Sequence, residues 1–196
     1  MDSKQIEVYT GLGIQTVTLL LQSYSSFKRN NVDEFFKMLL EEQKDLSQIG
    51  RNKGLEKQFY WIIEQVASES HSEKIVRWKN LLVKLATNFT YQDYMENYLK
   101  ILEGLTAFDL TVFTHIYGNK KSNATSIHEV CSFFEEREVP KEVVKLSVKK
   151  LASNNLLNEM ASGRSDAMRG IGNLPMPFFY SKNELGEQFL DIISKS

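Results

Sequence analysis

The stretch from Val139 to Leu157 constrains this chain more than any other. Pro140 has a fixed φ and no N–H, which suits the first turn of a helix. Val144, Val148 and Leu151 follow at helical spacing, so one face of that helix must be buried. Asn154 and Asn155 can end it, and the apolar pair Leu156 and Leu157 comes next. A single short stripe cannot form a core alone, so its neighbours must supply the opposite wall.

The neighbours fit. Leu105 to Asp109 begins a helix with Thr106 as N-cap and Asp109 three residues on, a variant of the capping box. Leu110, Phe113 and Ile116 bury one side, and Gly118 and Asn119 end it. Lys120 to Ala124 reads as a polar loop. Ser126 caps a second helix through Val130, Phe133 and Phe134, which closes in the charged run Glu135 to Glu138. Beyond the Pro140 helix, Leu156 to Met160 reads as a strand. Ser162 to Asn173 is a glycine-rich loop, and Met176 to Tyr180 is a second strand with its prolines at the start. Asn183 caps a last helix through Leu185, Phe189, Ile192 and Ile193.

The first half carries helical periodicity only. Ile6 to Phe27 forms a first helix, and Asn30 and Asn31 break the pattern. Val32, Phe35, Phe36, Leu39 and Leu40 then match the i, i+3, i+4 template of a helix reaching about Gln48. Gly50 to Gly54 is a loop. A third helix carries Phe59, Ile62, Ile63 and Val66. Ser72 caps a fourth with Ile75, Trp78, Leu82, Leu85 and Phe89, and Thr90 caps a fifth with Tyr94, Met95, Tyr98 and Leu102. Most of these aromatics belong to the core. Tyr60 and Trp61 flank the Phe59–Ile62 stripe, so a helix burying one face leaves one of them exposed as a partner contact. The expected class is mainly α. A helical bundle over residues 1–103, for interaction or dimerisation, precedes a second domain over 104–196 with a small β element.

Several functions lack their residues. Gly11 and Gly13 are neither preceded by a strand nor followed by Gly-Lys-Ser/Thr, so helix packing is a better account than a phosphate loop. His128 and Cys131 are spaced i, i+3, but two ligands do not make a zinc site. Cys131 lies beside Val130 and Phe133 and reads as a packed structural thiol. No nucleophile elbow, kinase signature or distinctive carboxylate pair occurs. Neither enzyme activity, a metal nor a cofactor is expected. The apolar run Gly11 to Leu21 is too short to span a bilayer, and one cysteine fits a reducing compartment. A cytoplasmic protein with no membrane partner is the expectation.

Charge points elsewhere. The whole chain nets −1, yet Val139 to Lys182 holds seven basic residues against three acidic, a local +4. Lys141, Lys145 and Lys149 step by four along one helix face, with Lys150 adjacent; Arg164 and Arg169 lie in the glycine-rich loop. The lysines and arginines would attract phosphates, while Ser147, Asn154 and Asn155 are the nearby groups able to reach a base edge. Val143 and Leu146 fall outside the apolar stripe, so a partner protein could instead cover the helix there.

The order helix, helix, helix, strand, loop, strand, helix resembles the winged helix-turn-helix of bacterial regulators over about Leu105 to Ile193. Leu105, Thr106, Phe108 and Asp109 carry the likeness at the first helix. Val144, Val148, Leu151 and Asn154 to Leu157 carry it at the third helix. Phe179 to Asn183, Leu185, Gly186, Phe189 and Leu190 carry it at the last strand and closing helix, similar to multi-drug-type regulators. That resemblance implies duplex DNA binding, with the third helix in the major groove and the wing on adjacent phosphates. The first half is similar to helical bacterial proteins of the Abi-alpha type, which are associated with phage defence. Glu73, Lys74, Trp78, Leu81 and Leu82 carry this, with Tyr98, Leu99, Ile101, Leu102, Leu105 and Thr106. Two functions therefore stand open: a DNA-binding regulator, or a non-catalytic interaction module, phage- or defence-associated by the resemblance of the first half, that keeps the winged helix as scaffold. Two half-sites and the aromatic-rich first half lead us to expect a homodimer.

Overall fold

The computed structural model describes residues 24–42, 49, 52–87, 92–119, 122–160 and 179–194. Among them are eight helices and three short strands, divided into two compact units. The first unit is formed by residues up to Gly104 together with those from Ile192 onward; the second is Leu105–Asp191. The fold is mainly helical with one small antiparallel sheet.

In the first unit, α1 (Ser26–Glu41), α2 (Lys53–Ser68), α3 (Ser72–Thr87) and α4 (Gln92–Gly104) pack around a core built on Phe35, Phe59, Ile62, Trp78 and Leu102. Residues 24–104, where described, contain no strand. Helix α3 is the centre of the unit, with Ile75, Trp78, Leu81, Leu82, Val83 and Leu85 all buried. Two buried lysines on it are neutralised at once. Lys79 pairs with Glu42, and Lys74 reaches Glu69 at 3.3 Å while donating to the Glu103 carbonyl.

Several helix ends differ from those the sequence pattern predicts. Asn30 and Asn31 do not break α1, which runs through both. The Asn31 amide instead donates to the carbonyls of Glu69 at 2.6 Å and Val66 at 3.3 Å, capping the C-terminus of α2. Lys53 and Gly54 are helical rather than loop, because the Asn52 side chain accepts from the Gly54 and Leu55 amides. Ser72 is inside α3, whose first amides bond to the His71 carbonyl. The expected helix over Ile6 to Phe27 lies largely outside the described residues, as do the Gln48 end, Phe89 and the Thr90 cap.

In the second unit, α5 (Ala107–Gly118), β1 (Ala124–Ser126), α6 (Ile127–Glu135), α7 (Lys141–Ser153), β2 (Leu157–Met160), β3 (Phe179–Lys182) and α8 (Glu184–Ile193, of which the last two residues are assigned to the first unit) follow in order. The sheet order is β1-β3-β2, with Thr125 opposite Tyr180 and Glu159 opposite Tyr180 on the other side. Strand β1 covers residues expected to be loop and helix cap. Three residues are too few to show a period of two, and it forms only by pairing with a strand more than fifty residues away. Strand β3 is described over Phe179–Lys182, so it overlaps the expected Met176–Tyr180 strand and runs two residues past its end; residues 161–178, and with them the Met176–Phe178 part of that expectation, lie outside the described set. Both expected caps form full capping boxes, Thr106 with Asp109 and Ser126 with Glu129.

Tyr117 ties this unit together. Its hydroxyl donates to the Leu156 carbonyl at 2.6 Å and accepts from the Asn183 amide at 3.1 Å. Gly186 makes that possible, since a Cβ there would sit 1.9 Å from Tyr117 Oη and 2.5 Å from the Leu156 oxygen. Asn183 caps α8 by accepting from the Gly186 amide at 2.8 Å.

Candidate nucleic-acid interface

Helix α7 is set in place by tight closures at both ends. Before it, the Val139 amide returns to the Phe134 carbonyl at 3.1 Å, and Glu138 takes φ 61° to turn the chain. That left-handed position disfavours a side chain with a Cβ. Pro140 is the N-cap rather than the first helical residue, one position earlier than the sequence suggested. At the far end Asn155 takes φ 57°, its amide bonds to Ala152 at 2.9 Å, and the Leu156 amide bonds to Leu151 at 3.0 Å. These two bonds form a Schellman closure, and Leu151 and Leu156, the positions it brings together, are both fully buried.

The two sides of α7 differ sharply. Val144, Ser147, Val148 and Leu151 are buried, while Lys141, Glu142, Val143, Lys145, Leu146 and Lys149 are exposed. Leu146 is 68% exposed and Val143 43%, an apolar pair one turn apart and bordered by the lysines. Lys141 lies 3.1 Å from Glu135 across the turn, an exposed pair of little energetic weight. Among the described residues, Lys145 and Lys149 form no ion pair or hydrogen bond.

The buried side carries a polar knot that the sequence did not announce. Asp109 is 5% exposed. It accepts from Ser147 Oγ at 2.7 Å, from Lys150 Nζ at 2.9 Å and from the Thr106 amide at 2.8 Å. Burial alone would push its carboxyl pKa up, but hydrogen bonds from Lys150, Ser147 and Thr106 outweigh burial and hold it below the ordinary value. Ser147 and Lys150 thereby fix α7 to α5. This corrects the expectation that Ser147 reads a base edge: its hydroxyl is committed inside the fold. Lys150 is half-buried, with its ammonium on the carboxylate, and so is unavailable as a freely directed phosphate contact. Asn154 turns its amide back onto the Lys150 carbonyl at 2.8 Å, ending α7 rather than facing outward. Arg164 and Arg169 lie outside the described residues.

The turn before α7 adds one cation that sequence reasoning passed over. Arg137 stacks its guanidinium 3.7 Å over the Phe133 ring, and His115 stacks on that ring at 3.6 Å. Burial, then repulsion from Arg137, lowers the His115 pKa, so the imidazole is neutral near pH 7. Cys131 is buried, its thiol pKa is raised by burial, and its sulfur faces the Lys141 carbonyl at 3.9 Å.

The expected partner contacts Tyr60 and Trp61 belong to the first unit, and both are half-buried; neither is left fully exposed. Tyr60 packs edge-on against Phe59, and Trp61 against Trp78. Among the described residues, no group of three His, Cys, Asp or Glu is placed to hold a metal, and no helix is long and apolar enough to cross a membrane. Comparison with protein-family models, curated proteins and solved structures finds no match to this chain.

Proposed function

We propose that Leu105–Asp191 is a winged-helix module of the transcription-regulator type that binds duplex DNA through the outward face of α7. One observation carries the reading: Lys145 and Lys149 stand exposed around Leu146 on a helix whose opposite side is anchored by Val144, Ser147, Val148 and Leu151. A helix held on one side and cationic on the other is what a major groove admits. The order α5, β1, α6, α7, β2, β3, α8 supports the same module. The chain between β2 and β3 carries Arg164 and Arg169, the cations a wing would bring to adjacent phosphates.

This face predicts weak sequence discrimination. Ser147 is turned inward and the Asn154 amide is engaged on the Lys150 carbonyl, so the middle of the outward face offers ammonium groups and Leu146 rather than paired donors and acceptors. Leu146 suits a thymine methyl, and the lysines suit phosphates. A homodimer presenting two such helices belongs to this proposal, and light scattering showing a strict monomer at high concentration would remove it.

A second reading rests on the exposed pair Val143 and Leu146: a non-catalytic, defence-associated interaction module that uses the same face to hold a protein. Charge reversal separates the two. On the DNA reading, K145E/K149E abolishes duplex binding at physiological salt in fluorescence anisotropy, leaving only residual binding at low salt, at unchanged fold, since surface substitutions shift stability by under about 0.5 kcal/mol. On the interaction reading the same variant is silent, and V143A/L146A is the damaging one.

A further inference from the structure

Helix α7 carries a single acid, Glu142, against four lysines. Glu142 is exposed, and among the described residues its carboxylate joins no ion pair and accepts no hydrogen bond. Lys145 stands one turn on without pairing to it, and Lys141 turns to Glu135 instead. At about 100° per residue, Glu142, Leu146 and Lys149 fall within about 60° of one another, opposite the buried arc of Val144, Ser147, Val148 and Leu151. Glu142 therefore lies in the first turn of α7, on the midline of its outward face. Leu146, 68% exposed, follows on the same line about 6 Å further along the helix.

On a face that meets DNA, an uncompensated carboxylate repels the phosphates that the lysines attract. The major groove offers it few partners. Guanine N7 and O6 and thymine O4 are acceptors that repel it, and the adenine amino group stands beside the N7 acceptor. Cytosine presents its N4 amino donor with no acceptor on the same base, and carboxylates pair with it there. The first turn of a recognition helix is also where base edges are met. Resting on the DNA-binding reading, we infer that Glu142 is a specificity-determining residue: it accepts from the N4 amino group of a cytosine about two base pairs from a thymine whose methyl packs on Leu146. The spacing follows from the ~6 Å between the two residues along α7 and the ~3.4 Å rise of each base pair.

Duplexes enriched from a random pool by the full chain, then varied one pair at a time in fluorescence anisotropy, test this directly. Replacing the cytosine pair should weaken wild-type binding at least about fivefold. E142A should lose that preference and bind the replaced duplexes more tightly than wild type, because a like charge has left the phosphate face. E142Q should move the preference from cytosine to adenine, whose N6 and N7 suit a carboxamide. Deoxyuridine in place of the thymine should weaken wild type and leave L146A unaffected. Circular dichroism should be unchanged in all three variants. A carboxylate in a first turn also favours the helix dipole; a Glu142 with that role alone would leave the base preference of E142A as in wild type, which overturns the inference. Wild-type binding without a cytosine preference, an E142Q variant that still selects cytosine, or indifference to deoxyuridine overturns it equally, with duplex binding itself intact. Absence of any duplex binding by wild type refutes the DNA reading, and this inference with it.

Discussion

Replacing Asp109 by alanine is expected to cost about 3 kcal/mol, and the structure says where that comes from. The carboxylate supplies half of the α5 capping box, a loss of about 1 kcal/mol when a cap is removed. It also receives the 2.7 Å bond from Ser147, which is 3% exposed and would be left as an orphaned buried hydroxyl, a penalty of about 1–3 kcal/mol. Lys150 is 38% exposed and can turn to water, so its ion pair adds under about 1 kcal/mol. S147A alone should cost about 1.5 kcal/mol, and the D109A/S147A double variant should fall short of the summed singles by about 1–2 kcal/mol. Far-UV circular dichroism in guanidinium is the suitable probe, because Trp61 and Trp78 both lie in the first unit. The carboxyl pKa is lowered in the folded state, so its contribution is full above the unfolded value near 4 and is lost as pH falls through the folded value. D109N should flatten that acid limb. Additive single variants, or D109A costing under about 1 kcal/mol, would refute the account of the knot.

Two further substitutions test the closures around α7. Gly186→Ala drives a Cβ into the Tyr117 hydroxyl and the Leu156 oxygen, so it should cost at least about 2 kcal/mol in thermal unfolding, more than Tyr117→Phe. Asn155 sits at φ 57°, so Asn155→Gly should be neutral or stabilising, while Asn155→Ala should lose about 1 kcal/mol; equal effects would argue against the left-handed closure.

What the sequence could disclose was local. Thr106 and Asp109, or Ser126 and Glu129, signal a capping box within four residues, and both boxes form. The Val144–Val148–Leu151 stripe likewise fixed the buried side of α7. The misreadings share a non-local cause. Asn31 resembles a helix breaker because its partners, the carbonyls ending α2, are more than thirty residues away. Ser147 is not the outward group its polarity suggests: it lies three residues after Val144 and four before Leu151, on the buried arc. That spacing was the available signal; its partner Asp109, thirty-eight residues earlier, was not. The short strand β1 exists only through β3.

The salt dependence of duplex affinity tests the central claim most directly. If the outward face of α7 binds phosphates through Lys141, Lys145 and Lys149, the slope of log affinity against log salt is about −2.7 per protomer, deepening to about −4.5 if Arg164 and Arg169 also engage. K145E/K149E should flatten it by at least about 1.8. Affinity for a duplex that is unchanged between low and high salt, or a slope that the double charge reversal leaves as steep as before, would contradict the proposal that this helix binds DNA.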